Sequence, residues 1–286
     1  MLPFRKILFP VDYSEPCQAA VPHVRAMVEN YQAELCLVHA YGLGPVAYSE
    51  LMVADPLWPQ EVRPVEEKRL RKFAAEMFPD QPVELFVEQG EAGTVIHDFV
   101  QHQGADLVMI PAQGHGPLRR LLLGSTTVKV LHDVSAAVWT GTAAALNSHP
   151  AGVPYRSIVC ALDDSEEAEA VLRAADAFAR PSGSQLYLLH SVELPSIALE
   201  IDVSSFRKAI VESADLKLRE LKGKLGINAP HTVTDEIMTD SIRHEALRRN
   251  ADLVIVGRGR AQGLLSGVWS RLYPLIRESP CPVLSI

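Results

Sequence analysis

The sequence is poor in cysteine and in net positive charge. Its 286 residues include four cysteines with no CxxC pair, Cys17, Cys36, Cys160 and Cys281. This spacing argues against a disulfide framework or a structural zinc site and is typical of buried thiols in a reducing compartment. There are 27 Lys and Arg against 35 Asp and Glu. The resulting net charge of −8 attracts neither nucleic acid nor anionic lipid, so we expect no nucleic-acid partner.

Long apolar runs and the short motifs of several enzyme classes are also missing. No run approaches the roughly 18–20 apolar residues that a membrane-spanning helix needs. The first fifteen residues, MLPFRKILFPVDYSE, already contain charged side chains, which argues against a signal peptide. The sequence contains no P-loop, HExxH or GxSxG signature, so these NTPase, metalloprotease and hydrolase classes have no support. We therefore expect a cytoplasmic protein without a membrane partner.

The chain does contain an internal repeat. ILFPVDYSE at residues 7–15 matches IVCALDDSE at 158–166, AELCLVHA at 33–40 matches SQLYLLHS at 184–191, and ADLVMI at 105–110 matches ADLVIV at 251–256. A chain of this length suits two domains of about 140 residues each. Residues 141–154 are small or polar and lack apolar periodicity, as in a linker. We predict domains over residues 1–143 and 155–286, joined by a linker over 144–154.

Within each half, short apolar runs alternate with longer segments of helical period, which predicts βαβ units and a parallel sheet. The strands predicted in the first half are Lys6–Val11, Glu34–His39, Val83–Glu88, Leu107–Ile110 and Ala136–Thr140. A helix over VEEKRLRKFAAEMF is predicted to follow a loop from Gly42 to Pro64. The fold class is therefore α/β, with two tandem Rossmann-like domains, each a parallel sheet between helices.

Ligands of open parallel sheets bind beyond the carboxyl ends of the strands. In the first half, the loops expected there are PVDYS, HAYG and PAQGHGPLRRLLLGST. Glycines let backbone N–H groups approach phosphate, and a helix beginning at Gly124-Ser125-Thr126 would add free N–H donors and its positive dipole end. Asp12 offers an acceptor for an amine or a ribose hydroxyl, and backbone groups near Ala40 can pair with a base edge. These groups together predict a nucleotide site.

The segments KILFPVDYSE, AELCLVHA and ADLVMIPAQGHGPLRRLLLGSTTVKVLHDVSAAV resemble successive signatures of the universal stress protein family. The resemblance extends over both halves, as in tandem two-domain members. It implies the sheet order 3-2-1-4-5 and pairing of the two halves through their final strands, AAVWT and PVLSI. We also expect a further homodimer.

The ATP-binding members of that family carry Gly-x-x-Gly-x9-Gly-Ser/Thr after the fourth strand. The first glycine of this pattern is Pro111 here, and proline has no N–H to donate. The resemblance implies binding of an adenine nucleotide, most simply ATP, with any Mg²⁺ held mainly by the nucleotide. The residues it assigns to the nucleotide are Pro10, Val11, Asp12, Ala40, Pro111, Gly114, Gly124, Ser125 and Thr126.

The second half departs further from the pattern. Gly257 keeps the first glycine and Asp163 keeps the acid of the first loop, but Arg260 replaces the second glycine. The closing Gly-Ser pair of the motif is replaced by Trp269-Ser270 or, with a shift of one residue, by Ser270-Arg271. We predict that this half is a degenerate domain with a structural or regulatory role, although Arg258 and Arg260 can attract an anion.

Several residues allow two interpretations. Asp12 binds a ligand or caps the next helix, and Arg119 and Arg120 contact phosphate or lie solvated at a helix start. His39 and His190 end matching strands and are predicted to be packed and hydrogen-bonded rather than catalytic. Trp139 and Trp269 are read as packing or interface residues. His115 offers only a loose candidate base, so a slow ATPase and a scaffold that binds no nucleotide remain alternatives to a nucleotide-binding protein.

Overall fold

A computed structural model describes residues 4–42, 58–114, 123–148, 155–163, 165–192, 203–258 and 268–286. The chain divides into two compact units, Phe4–Val153 and Pro154–Ile286. Each unit contains a parallel sheet with helices connecting its strands. The predicted α/β fold class is confirmed.

The first unit alternates strands and helices along the chain. Its strands are β1 (Lys6–Pro10), β2 (Glu34–Tyr41), β3 (Val83–Gln89), β4 (Leu107–Met109) and β5 (Ala137–Thr140). Its helices are α1 (Glu15–Tyr31), α2 (Trp58–Met77), α3 (Ala92–Gln103), α4 (Ser125–Asp133) and α5 (Ala143–Ser148). The strands pair in parallel in the order β3-β2-β1-β4-β5.

The central strands are apolar on both faces because helices cover both sides of the sheet. Ile7, Leu8 and Phe9 of β1 are fully buried, and so are all three residues of β4. The chain leaves β1 for β2 on one side, and β4 lies on the other side. A crevice therefore opens between the carboxyl ends of β1 and β4, where a doubly wound sheet binds its ligands.

Helix α2 begins earlier than the apolar pattern predicts. The expected loop from Gly42 to Pro64 extended to the start of VEEKRLRKF, but the helix already begins at Trp58 and has Pro64 inside it. The Arg63 Nε donates to Glu67 Oε1 at 3.0 Å across the proline, an i,i+4 pair that supports the helical turn. A proline in the interior is unfavourable for a helix, which is why the sequence pattern placed the boundary too late.

The predicted linker contains a short helix. Residues 143–148 form α5, with Ala145 and Leu146 buried. The Thr142 Oγ1 accepts a hydrogen bond from the backbone N–H of Ala145 at 3.2 Å, so Thr142 caps the helix in the usual way. Six residues are too few for an apolar period to be recognised in the sequence.

The second unit has the same order of elements. Its strands are β6 (Ser157–Leu162), β7 (Gln185–Ser191), β8 (His231–Thr234), β9 (Leu253–Val256) and β10 (Val283–Ser285), and its helices are α6 (Ala168–Ala179), α7 (Val203–Leu225), α8 (Met238–Arg248) and α9 (Val268–Glu278). The strands are arranged as β8-β7-β6-β9-β10. Across the described parts of both units, no helix is long and apolar enough to span a bilayer.

Candidate functional site

A cavity of about 570 Å³ opens at the carboxyl ends of the strands in the first unit. Its walls come from the ends of β1, β2 and β4 and from the first turns of α3 and α4. All nine residues that the sequence assigned to a nucleotide line this cavity: Pro10, Val11, Asp12, Ala40, Pro111, Gly114, Gly124, Ser125 and Thr126. The fold therefore brings the predicted set together, and its contact with a nucleotide stays a prediction.

The N-terminus of α4 forms one end of the cavity. Gly124 is the N-cap residue and has no side chain that could accept from the first backbone N–H groups of this helix. The first helical N–H groups have no partner within the helix, and the helix dipole places partial positive charge at this end. Ser125, Thr126 and Thr127 all line the cavity here. This end of the cavity suits an anion such as phosphate.

The loop after β4 is held against α4 by two hydrogen bonds. The Gly124 N–H donates to the Ala112 carbonyl at 2.9 Å, and the Thr127 hydroxyl donates to the Pro111 carbonyl at 3.0 Å. Thr127 is buried and was not among the predicted site residues. These bonds fix the start of the glycine loop relative to the helix N-terminus.

Asp12 positions the first turn of α1 but is not its N-cap. Its Oδ1 accepts from the Ser14 N–H at 2.9 Å and from the Ser14 hydroxyl at 2.6 Å. The Ser14 hydroxyl in turn accepts from the Cys17 N–H at 3.2 Å, so Ser14 is the capping residue. Asp163 of the second unit makes the same pair of bonds to Ser165. The shared turn accounts for the acid in both halves, while only Asp12 lines the large cavity.

His39 is hydrogen-bonded in the way the sequence reading favoured. Its Nδ1 lies 2.7 Å from the Val11 carbonyl oxygen, and because a carbonyl only accepts, Nδ1 carries the hydrogen. Its Nε2 lies 3.3 Å from Glu66 Oε2. His190 makes the matching bond to the Leu162 carbonyl at 3.0 Å. The repeated bond ties the end of the second strand to the loop after the first strand in each unit.

Tyr13, from the predicted PVDYS loop, forms a wall of the cavity with Arg69, which no sequence pattern indicated. Tyr13 has a φ of 62°, a left-handed conformation that is uncommon for a side chain of this size. Its ring packs against His39 and Phe73, and the Arg69 guanidinium lies 4.0 Å above the ring. Burial, and then the negative charge of Glu66, raise the pKa of the Tyr13 hydroxyl. These contacts hold the strained residue in place and present a flat cation at the cavity surface.

Gln113 is the clearest functional candidate that the sequence reading missed. It lies between Ala112 and Gly114 in the glycine loop, lines the cavity and is only 9% exposed. Its side-chain amide can both donate and accept a hydrogen bond. It is therefore able to contact a ligand in the cavity. A polar residue directly after a buried strand was the signal that could have identified it.

Glu91 caps α3, the helix that supplies Ala92 and Ile96 to the cavity wall. Its carboxylate accepts from the Gly93 and Thr94 N–H groups, each at 2.9 Å, and from the Lys129 ammonium at 3.0 Å. Burial alone would raise the pKa of Glu91. The hydrogen bonds from Gly93, Lys129 and Thr94 outweigh burial and lower the pKa from 4.5 to about 2.

We expect Glu91→Ala to lower the free energy of unfolding by about 1 kcal/mol at pH 7, the usual value of an N-cap. Because the folded pKa is the lower one, the contribution is complete above pH 4.5 and is lost as the pH falls toward 2. Urea unfolding of both proteins at several pH values measures this difference. Glu76→Ala, which removes an exposed acid of α2, serves as the control. A difference for Glu91→Ala that stays constant down to pH 2 would contradict the assignment.

At the matching strand ends, the described residues of the second unit line two smaller cavities, of about 80 and 160 Å³. The smaller one is lined mainly by apolar side chains. Leu107 and Leu253 occupy the same place in matching strands, and the same offset of 146 positions aligns Ala92 with Met238 and Thr126 with Leu272. Met238 and Leu272 both line the small cavity. Two larger apolar side chains thus take up space that is open in the first unit.

Several residues singled out in the sequence lie outside the described part of the chain. These are His115, Arg119, Arg120 and Arg260, together with the side chains of Trp269, Ser270 and Arg271. Arg258 is described, and burial lowers the pKa of its guanidinium to about 10. Trp139 is fully buried, with its ring 5.3 Å from that of His23, so it packs in the core of its unit. Among the described residues, no three His, Cys, Asp or Glu side chains converge in a way that could hold a metal ion.

Comparisons with known proteins agree with this architecture. A universal stress protein of Methanocaldococcus jannaschii is 24% identical over 139 residues, which cover 47% of this chain and 80% of that protein. The structure of a universal stress protein from Archaeoglobus fulgidus has a TM-score of 0.64 at 21% identity and covers 98% of this chain and 97% of that one. A functionally unknown protein from Pseudomonas aeruginosa has a TM-score of 0.67 at 13% identity, with 99% and 92% covered.

The family match extends through both units. Residues 3–140 and residues 154–286 each match the Universal stress protein family. The two matches account for the repeat seen in the sequence and for the two α/β units of the structure. The chain belongs to the universal stress protein family and carries two copies of its domain.

Proposed function

We propose that the first unit binds an adenine nucleotide, most simply ATP, and that the second unit has a structural or regulatory role. The single observation that carries the proposal is the cavity of about 570 Å³, which ends at the uncapped N-terminus of α4. Its volume lies within the range of roughly 300–1,000 Å³ typical of small-molecule sites. At the matching strand ends, the described residues of the second unit line two smaller cavities, of about 80 and 160 Å³.

The residues around the cavity fit the two ends of a nucleotide. The N–H groups at the start of α4 and the backbone of the glycine loop suit the phosphates. The ends of β1 and β2, with Asp12 and Ala40, lie on another side of the same cavity and suit the base and ribose. The amide of Gln113, which also lines the cavity, supplies a further donor and acceptor. Magnesium, where it accompanies ATP, would be held mainly by the phosphates.

Calorimetric titration of the full chain tests this proposal. We expect one ATP per chain, with affinity rising from AMP to ADP to ATP, because the helix N-terminus acts on the phosphate charge. Two equivalent sites per chain would contradict the role given to the second unit. Analysis of the same mixtures for ADP would detect a slow ATPase, and the absence of both binding and turnover would favour a scaffold.

Gln113→Met tests the contribution of this amide to binding. Without nucleotide, the free energy of unfolding should change by less than about 1 kcal/mol, because methionine fills nearly the same volume. Nucleotide binding should weaken about five- to tenfold through the loss of a hydrogen bond.

The control for this prediction is Gln101→Met, which changes an exposed glutamine that bonds to Ser135 and does not line the cavity. Urea unfolding and calorimetry measure the two effects separately. A variant that loses both stability and affinity would mean that Gln113 supports the loop instead of contacting the ligand.

A further inference from the structure

A chain of hydrogen-bonded side chains lies on the second unit, on residues that do not line its crevice. The His231 Nε2 lies 2.8 Å from Asp215 Oδ1, and the Lys222 Nζ lies 3.0 Å from His231 Nδ1. Asp215 and Lys222 belong to α7, and His231 is the first residue of β8. The order of groups is carboxylate, imidazole and amine.

The partners on each side define the tautomer of the imidazole. Asp215 is a carboxylate that also accepts from the Arg219 Nε at 2.6 Å, and the bonds from His231 and then Arg219 lower its pKa. Because a carboxylate only accepts, the His231 Nε2 carries a hydrogen. The Nδ1 lone pair then faces the Lys222 amine and can accept a proton from it. This geometry is that of an oriented base next to a nucleophile.

The surroundings of Lys222 also favour its neutral form. Burial, and then the positive charge of Arg219, lower the pKa of Lys222, while Asp215 acts in the opposite direction. Lys222 and His231 are half-buried, whereas Lys217 on the same helix is exposed. Lys222 therefore differs from an ordinary surface lysine in its hydrogen bond to His231, and its side chain is less accessible than that of Lys217.

We propose that Lys222 is a modification site that accepts an acyl group from a small acyl phosphate. The Nζ lone pair attacks the carbonyl carbon, a C–N bond forms, and the C–O bond to phosphate breaks with its electron pair remaining on the phosphate oxygen. Of the two protons that the Lys222 ammonium loses, one passes through His231 Nδ1 to solvent and the other protonates the leaving phosphate. Asp215 stabilises the imidazolium formed on the way.

The experiment incubates the full chain with acetyl phosphate and follows acetylation of each lysine by mass spectrometry over time. We expect Lys222 to react at least about tenfold faster than Lys217, because a positioned base accelerates proton transfer. Accessibility alone predicts the reverse order, since Lys217 is the more exposed side chain. A rate at Lys222 equal to or below that at Lys217 would overturn the proposal.

Two variants test the roles of the neighbours. His231→Gln should bring the rate at Lys222 down to that at Lys217 and leave Lys217 unchanged. Asp215→Asn should reduce the rate at Lys222 by a smaller factor, because the base remains but its imidazolium loses the carboxylate. An unchanged rate at Lys222 in His231→Gln would contradict the role of the imidazole. Circular dichroism shows whether His231→Gln folds. If it does not, two results still decide the outcome: the rates at Lys222 and Lys217 in the wild-type chain, and the rate at Lys222 in Asp215→Asn.

Discussion

Gly124→Val should weaken ATP binding about 100-fold, which corresponds to the loss of two hydrogen bonds to charged oxygens at about 1.5 kcal/mol each. Gly124 lines the cavity directly before the first turn of α4. A branched side chain there would cover the N–H groups at the helix N-terminus, which need close approach of the phosphate. Calorimetric titration with ATP measures the effect.

The fold itself does not require glycine at this position. Gly124 has a φ of −64° and a ψ of 143°, which any residue adopts. An added Cβ would lie 3.6 Å from the Thr127 hydroxyl oxygen and 3.8 Å from the Ala112 carbonyl oxygen, both ordinary contacts. The loss of a glycine N-cap should cost at most about 1 kcal/mol. Gly124→Ala should give an intermediate loss of binding with little change in stability.

Gly104 provides a control in which stability should change and nucleotide binding should not. It ends α3 with a φ of 71°, and an added Cβ would meet nothing within 4 Å. Gly104→Ala should therefore lower the free energy of unfolding by about 1 kcal/mol through backbone strain and leave nucleotide binding unchanged. If Gly124→Val is folded and binds ATP normally, the phosphates do not lie at α4, and the proposed function loses its main support.

The central strands β1 and β4 were predictable because each is a short apolar run that helices cover on both faces. The edge strand β3 is mostly half-buried or exposed, and its Val, Leu and Phe residues indicated a strand. Predicted and observed bounds of β1 to β5 differ by two residues or fewer. The sequence analysis placed the start of α2 too late, because Pro64 lies inside this helix. It did not predict the short helix α5, because six residues are too few to show an apolar period. In both places, local pattern and tertiary packing give different answers.

The candidate site was predictable only where its residues follow one another in the loops after the strands. Arg69 reaches the ring of Tyr13 from α2, and no local pattern relates two residues so far apart in the chain.

The small size of the crevice in the second unit also depends on residues that are distant in the chain. The sequence suggested that Arg260 and Trp269 would alter it, whereas the described filling comes from Met238 and Leu272, whose place beside the crevice depends on how α8 and α9 pack.

Pro111 occupies the position where its family's ATP-binding motif has its first glycine, and its replacement should tighten ATP binding. The Ile110 N–H donates to the Trp139 carbonyl at 3.0 Å, and the Ala112 N–H donates to the Gly141 carbonyl at 2.9 Å, both on the β5 side. Consecutive N–H groups along an extended strand point in opposite directions. An N–H at position 111 would therefore point toward β1, into the crevice where the cavity lies.

Pro111→Gly and Pro111→Ala should both bind ATP about five- to thirtyfold more tightly, because one hydrogen bond to a phosphate oxygen contributes about 1–2 kcal/mol. The Thr127 bond to the carbonyl of residue 111 remains available in both variants. Glycine makes the unfolded chain more flexible, so Pro111→Gly should also lose about 0.4–1 kcal/mol of stability. Improvement in Pro111→Gly alone would mean that close backbone approach matters and the N–H does not. If neither variant binds more tightly, the loop is built around Pro111, and a ligand other than ATP fits the cavity better.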